Sequence, residues 1–305
     1  MATTVLGLKT LTASDPVDYN EINDNYNKID NGVKTALQGR AAHNLLDNSD
    51  FTNPVNQRGA TTATLGKYFI DRWSTESFPS GPSITIDSNG LTLLPTTSST
   101  AGIYQILPDY ENRKGKVHTF AICVDNVWKC VSFTMGNFGA GYLIHGLYFF
   151  SVDNQNILIR NNASDTPVPI TIQRVALYEG SYTADTLPAY QPKGYAAELA
   201  EAQRYYIHDM GRFTQGIIMP SGVLRVSYPV PTTMRTNPTV IVNNLDNAVV
   251  FSNGYSTVIV LTACSFYNKK DNAILVDFST NINAGDYKHC VATTYATSIS
   301  LSADL

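Results

Sequence analysis

Residues 117–135 read VHTFAICVDNVWKCVSFTM, and this stretch decides the fold class. It contains two runs of β-branched and aromatic residues, separated by Asp125-Asn126, a dipeptide that favours a two-residue turn. If the runs pair around that turn, one face carries His118, Phe120, Ile122, Val124, Val127, Val131, Phe133 and Met135. The opposite face carries Trp128, among Thr119, Ala121, Cys123, Cys130, Ser132 and Thr134. The stretch therefore predicts an antiparallel hairpin with one face in a hydrophobic core.

Similar short runs continue outward from this hairpin in both directions. Between residues 44 and 192 they alternate with turn-forming clusters such as Pro79-Ser80-Gly81-Pro82 and Ser88-Asn89-Gly90. Many short strands with this punctuation predict a sandwich or barrel. An Ala-, Leu- and Glu-rich segment at 193–207 predicts a linker helix, and strand-like patterns resume at 208–305. The predicted fold class is mainly β: a jelly-roll-like β-sandwich, a linker helix and a C-terminal β-sandwich.

The N-terminal segment, residues 1–43, predicts a short helix instead. Ser14-Asp15-Pro16 is a helix-start signal, because a capping side chain is followed by proline in the first turn. Apolar residues then recur at spacings of three and four, namely Tyr19, Ile22, Tyr26, Ile29 and Val33. Such a narrow seam favours oligomerisation through a coiled coil. The alternative is one amphipathic helix that packs on its own domain.

Composition argues against several classes of function. The chain has 305 residues, of which 43% are hydrophobic and only 15% are charged, so it has enough apolar residues for real cores. The net charge is −4 and there is no basic run, so nucleic acid is not an expected partner. No stretch approaches the roughly 18 apolar residues of a membrane span, and Met1–Leu11 lacks the features of a signal peptide. We expect a product made in the cytoplasm, with no membrane insertion.

The cysteines and histidines predict neither disulfides nor a metal site. Four cysteines are too few for a disulfide scaffold. Cys123 and Cys130 would be diagonal neighbours in the hairpin, with Cα atoms about 7–8 Å apart, which is too far for easy bridging. All four cysteines are therefore expected to be free thiols. The five histidines have no metal-ligand spacing, and we expect no cofactor.

Three stretches resemble known families. Residues 44–51, NLLDNSDF, resemble the opening strand of jelly-roll carbohydrate-binding modules, and residues 172–180, IQRVALYEG, resemble their closing strand. Residues 175–206, which end in Gln-Arg-Tyr-Tyr, resemble tail-fibre and receptor-binding proteins of bacteriophages and prophages. In those proteins a Pro-Val-Pro…Met-Arg…Asn-Pro-Thr-Val phrase often follows. Here that phrase spans residues 229–240, with two Thr residues inserted before the Met.

The resemblance implies a virion component of a phage tail, made in the host cytoplasm. It implies a homotrimer that contacts other tail or baseplate proteins and faces a polysaccharide on the host surface. Residues 1–43 would then be a trimeric coiled coil that attaches the chain to the tail. No ligand residue can be transferred from the resemblance, because such proteins vary most where they bind.

Trp128 is the candidate ligand-binding residue. An indole on a face of small side chains offers a flat surface against which a sugar ring can stack. The alternative is that Trp128 packs under a loop or against a neighbouring subunit. Trp73 is instead expected in the core, with Asp71 and Arg72 as a structural pair.

No catalytic residue is predicted. Glycoside hydrolysis needs two carboxylates on facing strands. The densest acids are Asp109/Glu111, which read as a loop, and Glu198/Glu201, which read as a polar helix face. The leading hypothesis is a non-enzymatic tail fibre or receptor-binding protein that attaches the virion to a host-surface glycan. The alternatives are a purely structural tail or baseplate component and, less favoured, a polysaccharide depolymerase.

Overall fold

A computed structural model of the chain describes residues 18–38, 43–76, 81–136, 141–152, 156–210, 216–219, 221–244, 247–252, 255–270, 273–280, 291–294 and 298–303. Within these ranges there are three helices, namely α1 (Tyr19–Gln38), α2 (Tyr110–Arg113) and α3 (Tyr195–Ala202). The helix-start signal predicted at Ser14-Asp15-Pro16 lies outside the described residues. The first described residue, Asp18, accepts a hydrogen bond from the Asn20 amide at 2.8 Å.

The remaining regular structure is β. The first twelve strands are β1 (Tyr68–Ile70), β2 (Trp73–Thr75), β3 (Ser83–Asp87), β4 (Gly90–Leu94), β5 (Ala101–Ile106), β6 (Val117–Val124), β7 (Val127–Thr134), β8 (Tyr142–Ile144), β9 (Leu147–Val152), β10 (Asn156–Asn161), β11 (Ile170–Ile172) and β12 (Arg174–Glu179). The others are β13 (Tyr206–Ile207), β14 (Gly216–Ile218), β15 (Val223–Pro229), β16 (Thr239–Asn244), β17 (Asn247–Ser252), β18 (Tyr255–Lys270), β19 (Ala273–Thr280), β20 (Val291–Thr294) and β21 (Ser298–Ser302). The mainly-β prediction is confirmed.

Internal contacts divide the chain into two compact units. The first unit comprises residues 1–53 and 76–192, and the second comprises residues 54–75 and 193–305. Residues 54–75 were predicted to lie inside the 44–192 sandwich, yet they group with the second unit. Residues 193–207, predicted as a linker, also group with the second unit.

The predicted hairpin at 117–135 is present in the first unit with the expected register. Ala121 faces Cys130 and Cys123 faces Trp128 across β6 and β7. The turn residues Asp125 and Asn126 have φ values of 50° and 61°, as a two-residue hairpin turn of the primed type requires. Cys123, Cys130 and Cys264 are free thiols, as predicted, whereas Cys290 lies outside the described residues.

The first unit has a sandwich-like core between antiparallel sheets. One sheet has the order β12–β6–β7, and another includes the order β5–β10–β9–β8. Phe120 of β6 stacks on Phe149 of β9 with ring centroids 4.0 Å apart, and Phe133 of β7 meets the same ring edge-on at 4.9 Å. A third sheet has the order β11–β4–β3. Burial alternates along β3, as a period-two pattern predicts, whereas β6, β10 and β12 are buried on both faces over most of their length.

Residues 44–51 run alongside β12 and are held in place by hydrogen bonds of backbone amides and of the Gln105 side chain. The Val175 amide donates to the Ser49 carbonyl at 3.0 Å, and the Leu45 amide donates to the Leu177 carbonyl at 2.9 Å. The buried Gln105 of β5 also holds this segment, because its side-chain amide exchanges two hydrogen bonds with the Asp47 backbone, at 2.8 and 2.9 Å. The two stretches that resemble opening and closing strands are therefore neighbours.

The second unit encloses its own core. Its sheets have the orders β13–β21–β16 and β14–β15–β19–β18–β17–β20. Apolar side chains from both sheets form one cluster, in which Leu224, Val226, Val276, Phe278 and Leu301 are fully buried. After residue 290, the described parts of the chain form β20 and β21 and the residue that follows them, Ala303.

Residues 54–75 are held to the second unit by two arginine–aromatic contacts. The Arg58 guanidinium lies 3.7 Å from the ring centroid of Tyr206, and that of Arg72 lies 3.6 Å from the ring centroid of Tyr205. Arg72 is 1% exposed and has a φ of 72°. The turn that it makes separates β1 from β2.

The predicted linker helix is shorter than the sequence pattern suggests. It ends at Ala202, because Tyr205 and Tyr206 are drawn into the second unit, where Tyr206 pairs with Ser302 of β21. Met234 and Arg235, from the phrase at 229–240, contact the same region of the second unit. Met234 is buried in the core, and the Arg235 amide donates to the Arg204 carbonyl at 2.9 Å.

Candidate functional site

Trp128 lies at the edge of a small hydrophobic cluster on the outer face of the β12–β6–β7 sheet. The buried members are Ala121, Ala176, Tyr178 and Leu187, with Trp128, Cys130, Tyr182 and Tyr190 packed against them. The Trp128 and Tyr190 rings are 5.4 Å apart and tilted by 34°. Since Tyr182, Leu187 and Tyr190 follow β12 as a loop, Trp128 packs under a loop while keeping part of its surface exposed.

Polar groups border this cluster on one side. The Tyr190 hydroxyl is 3.0 Å from the Ser49 hydroxyl, and the Arg174 guanidinium lies 5.9 Å from the Tyr190 ring centroid. Arg174 also forms an ion pair with Asp50 at 3.5 Å. Side chains of the same unit therefore pack against one side of Trp128. Stacking of a sugar ring on its indole remains a prediction.

A second aromatic surface lies on the β5–β10–β9–β8 sheet, on the side away from the core. Core-facing residues of these strands, such as Ile103, Phe149 and Ile159, are fully buried. The alternate residues form cross-strand rows on the opposite side. One row is Gly102, Arg160, Tyr148 and Leu143, and the next is Tyr104, Leu158 and Phe150. Leu158 in the middle of the second row is buried, at 6% exposure, so the exposed part of this side lies on its neighbours. We call the surface formed by Tyr104, Leu143, Tyr148, Phe150 and Arg160 the aromatic face.

The rings of the aromatic face lie nearly parallel near the sheet edge. The Tyr148 and Phe150 centroids are 6.3 Å apart with an interplanar angle of 20°. A side chain at Gly141 would collide with them, since an added Cβ would lie 2.6 Å from the Phe150 ring and 3.3 Å from that of Tyr148. Leu143, beside Tyr148, is 64% exposed. The face is therefore open toward β8.

An ion pair borders the same rings. The Arg160 Nε donates to the Glu76 carboxylate at 2.7 Å, with a second, shorter contact through Nη2. This carboxylate occupies the space that a side chain at residue 102 would fill, which explains why Gly102 is there. The Arg160 guanidinium is 5.2 Å from the Phe150 ring centroid. The sequence pattern did not predict this surface, although residues 147–151, LYFFS, put apolar side chains on both faces of one strand.

The predicted oligomerisation seam of α1 is uncovered in the single chain. Tyr26 is 67% exposed, Ile29 40% and Val33 52%, and Ile22 is half-buried. Ile22, Asn25, Tyr26 and Ile29 line a shallow open groove on the helix. The backbone of Tyr19 belongs to α1, but its side chain is not among the described ones. The apolar row of α1 is therefore exposed in the single chain.

Two of the acids singled out in the sequence are paired with basic side chains. Asp109 sits before α2, is 66% exposed and lies 3.9 Å from Arg113, while Glu201 in α3 bonds to Lys193. The described thiols are also poor nucleophiles, because burial raises the pKa of Cys123, Cys130 and Cys264.

Asp71 pairs with Arg58 at 2.9 Å, while the Arg72 side chain stacks on Tyr205. Trp73 is fully buried, as predicted.

The buried His118 and the half-buried His145 predict acid sensitivity of the first unit. Burial lowers the pKa of His118, whose Nδ1–H donates to the Lys116 carbonyl at 3.1 Å, and burial together with Lys129 lowers the pKa of His145. A lowered folded-state pKa means that the unfolded chain binds the proton first. The free energy of unfolding should therefore be highest above the ordinary histidine pKa of about 6.5 and should fall as the pH drops below it.

Urea midpoints at pH 7.5 and pH 5 check this expectation. The decrease in urea midpoint from pH 7.5 to pH 5 should be smaller in His118→Gln, which keeps a neutral group in the core. It should be smaller still when His145→Gln is added. His43→Gln, at an exposed histidine, is the matched control. An equal loss in all these variants would contradict the assignment.

Among the described helices, none is both long enough and apolar enough to span a membrane. In the same part of the chain, no three His, Cys, Asp or Glu side chains are grouped so that they could hold a metal ion. No protein-family model matches the chain, and no curated protein matches it.

Proposed function

We propose that the chain is a phage tail-fibre or receptor-binding protein, which assembles as a homotrimer and attaches the virion to a host-surface glycan. The observation that carries this proposal is the adjacency of residues 44–51 and β12, held by the Val175 and Leu45 amides. Adjacency of the opening and closing segments fits the resemblance to a jelly-roll carbohydrate-binding module. In this proposal other tail or baseplate proteins hold the N-terminal end.

The exposed seam of α1 supports the trimeric part of the proposal. Apolar side chains at coiled-coil spacing gain most when they are buried against other helices. A helix of 20 residues is only marginally stable alone, so the seam would need partners or the domains that follow it. Three copies would also multiply weak single-site binding into useful avidity.

Ile29→Asp tests the trimer. In the trimer three carboxylates would have to lose water together, so the variant should dissociate, whereas in a monomer the 40% exposed position would tolerate the change. Sedimentation equilibrium should give three times the 33.4 kDa chain mass for the parent and the single-chain mass for the variant. Asn27→Asp, an exposed polar position of the same helix, should stay trimeric. A parent chain that is monomeric at micromolar concentration would refute the assembly.

The function itself is tested by binding of the purified parent chain to host cells and to an array of host-surface glycans. Retention on both supports receptor binding. A chain that binds neither favours the purely structural alternative, a tail or baseplate component. Release of reducing ends from host capsule would favour a depolymerase, which the separately paired acids Asp109 and Glu201 do not support.

A further inference from the structure

We propose that the aromatic face binds neutral sugar rings, with Tyr148 and Phe150 as the stacking residues and the Arg160–Glu76 pair as the hydrogen-bonding edge. This inference rests on the proposed glycan-binding function and deepens it, because it names the site and the class of sugar. It differs from the Trp128 hypothesis, which concerns the other sheet of the same unit.

Ring geometry is the first argument. The face of an aromatic ring is electron-rich, and the C–H groups on one side of a pyranose ring carry partial positive charge. Tyr148 and Phe150 present two nearly parallel rings 6.3 Å apart, next to the exposed Leu143. The absent side chain at Gly141 leaves room for the Phe150 ring to lie across the neighbouring backbone. Such a platform suits a flat, rigid ligand with apolar faces.

The charged edge sets the class of sugar. Arg160 and Glu76 are 32% and 15% exposed, so their remaining donor and acceptor sites can reach a ligand's hydroxyl groups. Their charges cancel, so a phosphate or carboxylate ligand would meet no net positive charge here. Neutral hexoses and N-acetylhexosamines fit this edge better than uronic or sialic acids do.

The size of the face argues against a protein partner. The exposed or partly exposed side chains Leu143, Tyr148, Phe150 and Arg160 lie on the neighbouring strands β8, β9 and β10, which span about 10 Å, so the open patch is on the order of 200 Å². A stable protein interface needs about 800 Å² on each partner. A protein on this patch would also have to desolvate the Arg160–Glu76 pair, which is costly without matched hydrogen bonds. A short oligosaccharide covers such a patch and brings hydroxyl groups to the pair.

The test measures binding of the full-length chain to an array of neutral and acidic oligosaccharides, followed by affinity measurements on the best neutral ligand. Tyr148→Ala should weaken binding about tenfold, because one stacking surface is lost. Tyr195→Ala removes a tyrosine that is 52% exposed on α3 and should bind like the parent. Tm values for each variant separate loss of binding from loss of folding.

Two further variants keep the test decisive if Tyr148→Ala is unstable. Leu143→Lys places a long side chain over the face at a 64% exposed position, and Val127→Lys makes the same change at a 53% exposed position of the other sheet. Gly141→Ala should displace the Phe150 ring, whose outer atoms are the ones in the way. Leu143→Lys and Gly141→Ala should both weaken binding, and Val127→Lys should not.

The outcomes separate this inference from the proposed function. If the parent binds neutral glycans and the face variants bind equally well, the site assignment is wrong while glycan binding stands. Preference for acidic glycans would refute the sugar class. A parent that binds host cells but no glycan would overturn both proposals, and a change of sedimentation in Leu143→Lys would identify the face as a contact between copies instead.

Discussion

Asp71→Ala is expected to lower the free energy of unfolding of the second unit by about 3–5 kcal/mol, the usual cost of removing one partner from a buried charge pair. Asp71 is 1% exposed and accepts hydrogen bonds from the Gln57 amide at 2.6 Å and from Arg58 at 2.9 Å. Its loss leaves the 15% exposed Arg58 guanidinium without this carboxylate, beside the Tyr206 ring. Residues 54–75 should then detach from this unit first.

The two tryptophans make this expectation measurable, because Trp73 belongs to the second unit and Trp128 to the first. In a Trp128→Phe background, fluorescence in urea reports Trp73 alone. Glu201→Ala is the matched control in the same unit, since it removes a 42% exposed carboxylate that pairs with Lys193. That variant should lose less than about 1 kcal/mol. Equal losses at Asp71 and Glu201 would contradict the buried-pair argument.

Asn44→Ala is expected to destabilise the first unit by about 3 kcal/mol, since buried groups left without a partner cost about 1–3 kcal/mol each. The Asn44 Oδ1 accepts from the Leu177 amide at 2.9 Å and the Leu46 amide at 3.2 Å. Its Nδ2 donates to the Ser49 hydroxyl at 2.8 Å and the Val175 carbonyl at 3.2 Å. One side chain thus fastens the opening segment to β12, and alanine makes none of these bonds.

Hydrogen exchange followed by mass spectrometry should detect this loss where it occurs. Peptides covering β12 contain the Leu177 amide and should exchange much faster in Asn44→Ala than in the parent. Asn162→Ala, at an exposed asparagine, should leave their exchange unchanged. Unchanged protection of β12 in Asn44→Ala would show that the segment is held by its backbone bonds alone.

The stretches that resemble phage tail-fibre proteins supply packing residues of the second unit. Tyr205 and Tyr206 receive the guanidinium groups of Arg72 and Arg58, and Met234 lies in the core of the second unit. The resemblance therefore concerns residues that build a unit, and it leaves the ligand contacts to other positions.

The candidate site was only partly predictable. The register of the hairpin correctly put Trp128 on the face opposite the core, because alternation fixes faces within a strand. The sequence did not show that Tyr190 would cover it, since the loop after β12 folds back over the sheet by tertiary contact. The aromatic face needed the pairing of β8, β9, β10 and β5, and the β5–β10 pair joins residues up to 60 positions apart, as Ala101 and Asn161 are.

By itself the sequence determined the mainly-β class, the hairpin at 117–135 with its turn and register, the burial of Trp73 and the apolar seam of α1. These follow from period-two and heptad patterns and from turn residues, which act over a few positions. Only the tertiary structure decided that residues 54–75 join the second unit, that the helix after 193 ends at Ala202, and that Asn44 and Gln105 fasten the opening segment. Those choices depend on buried polar and charged groups finding partners far along the chain, and local patterns do not encode which partner is met.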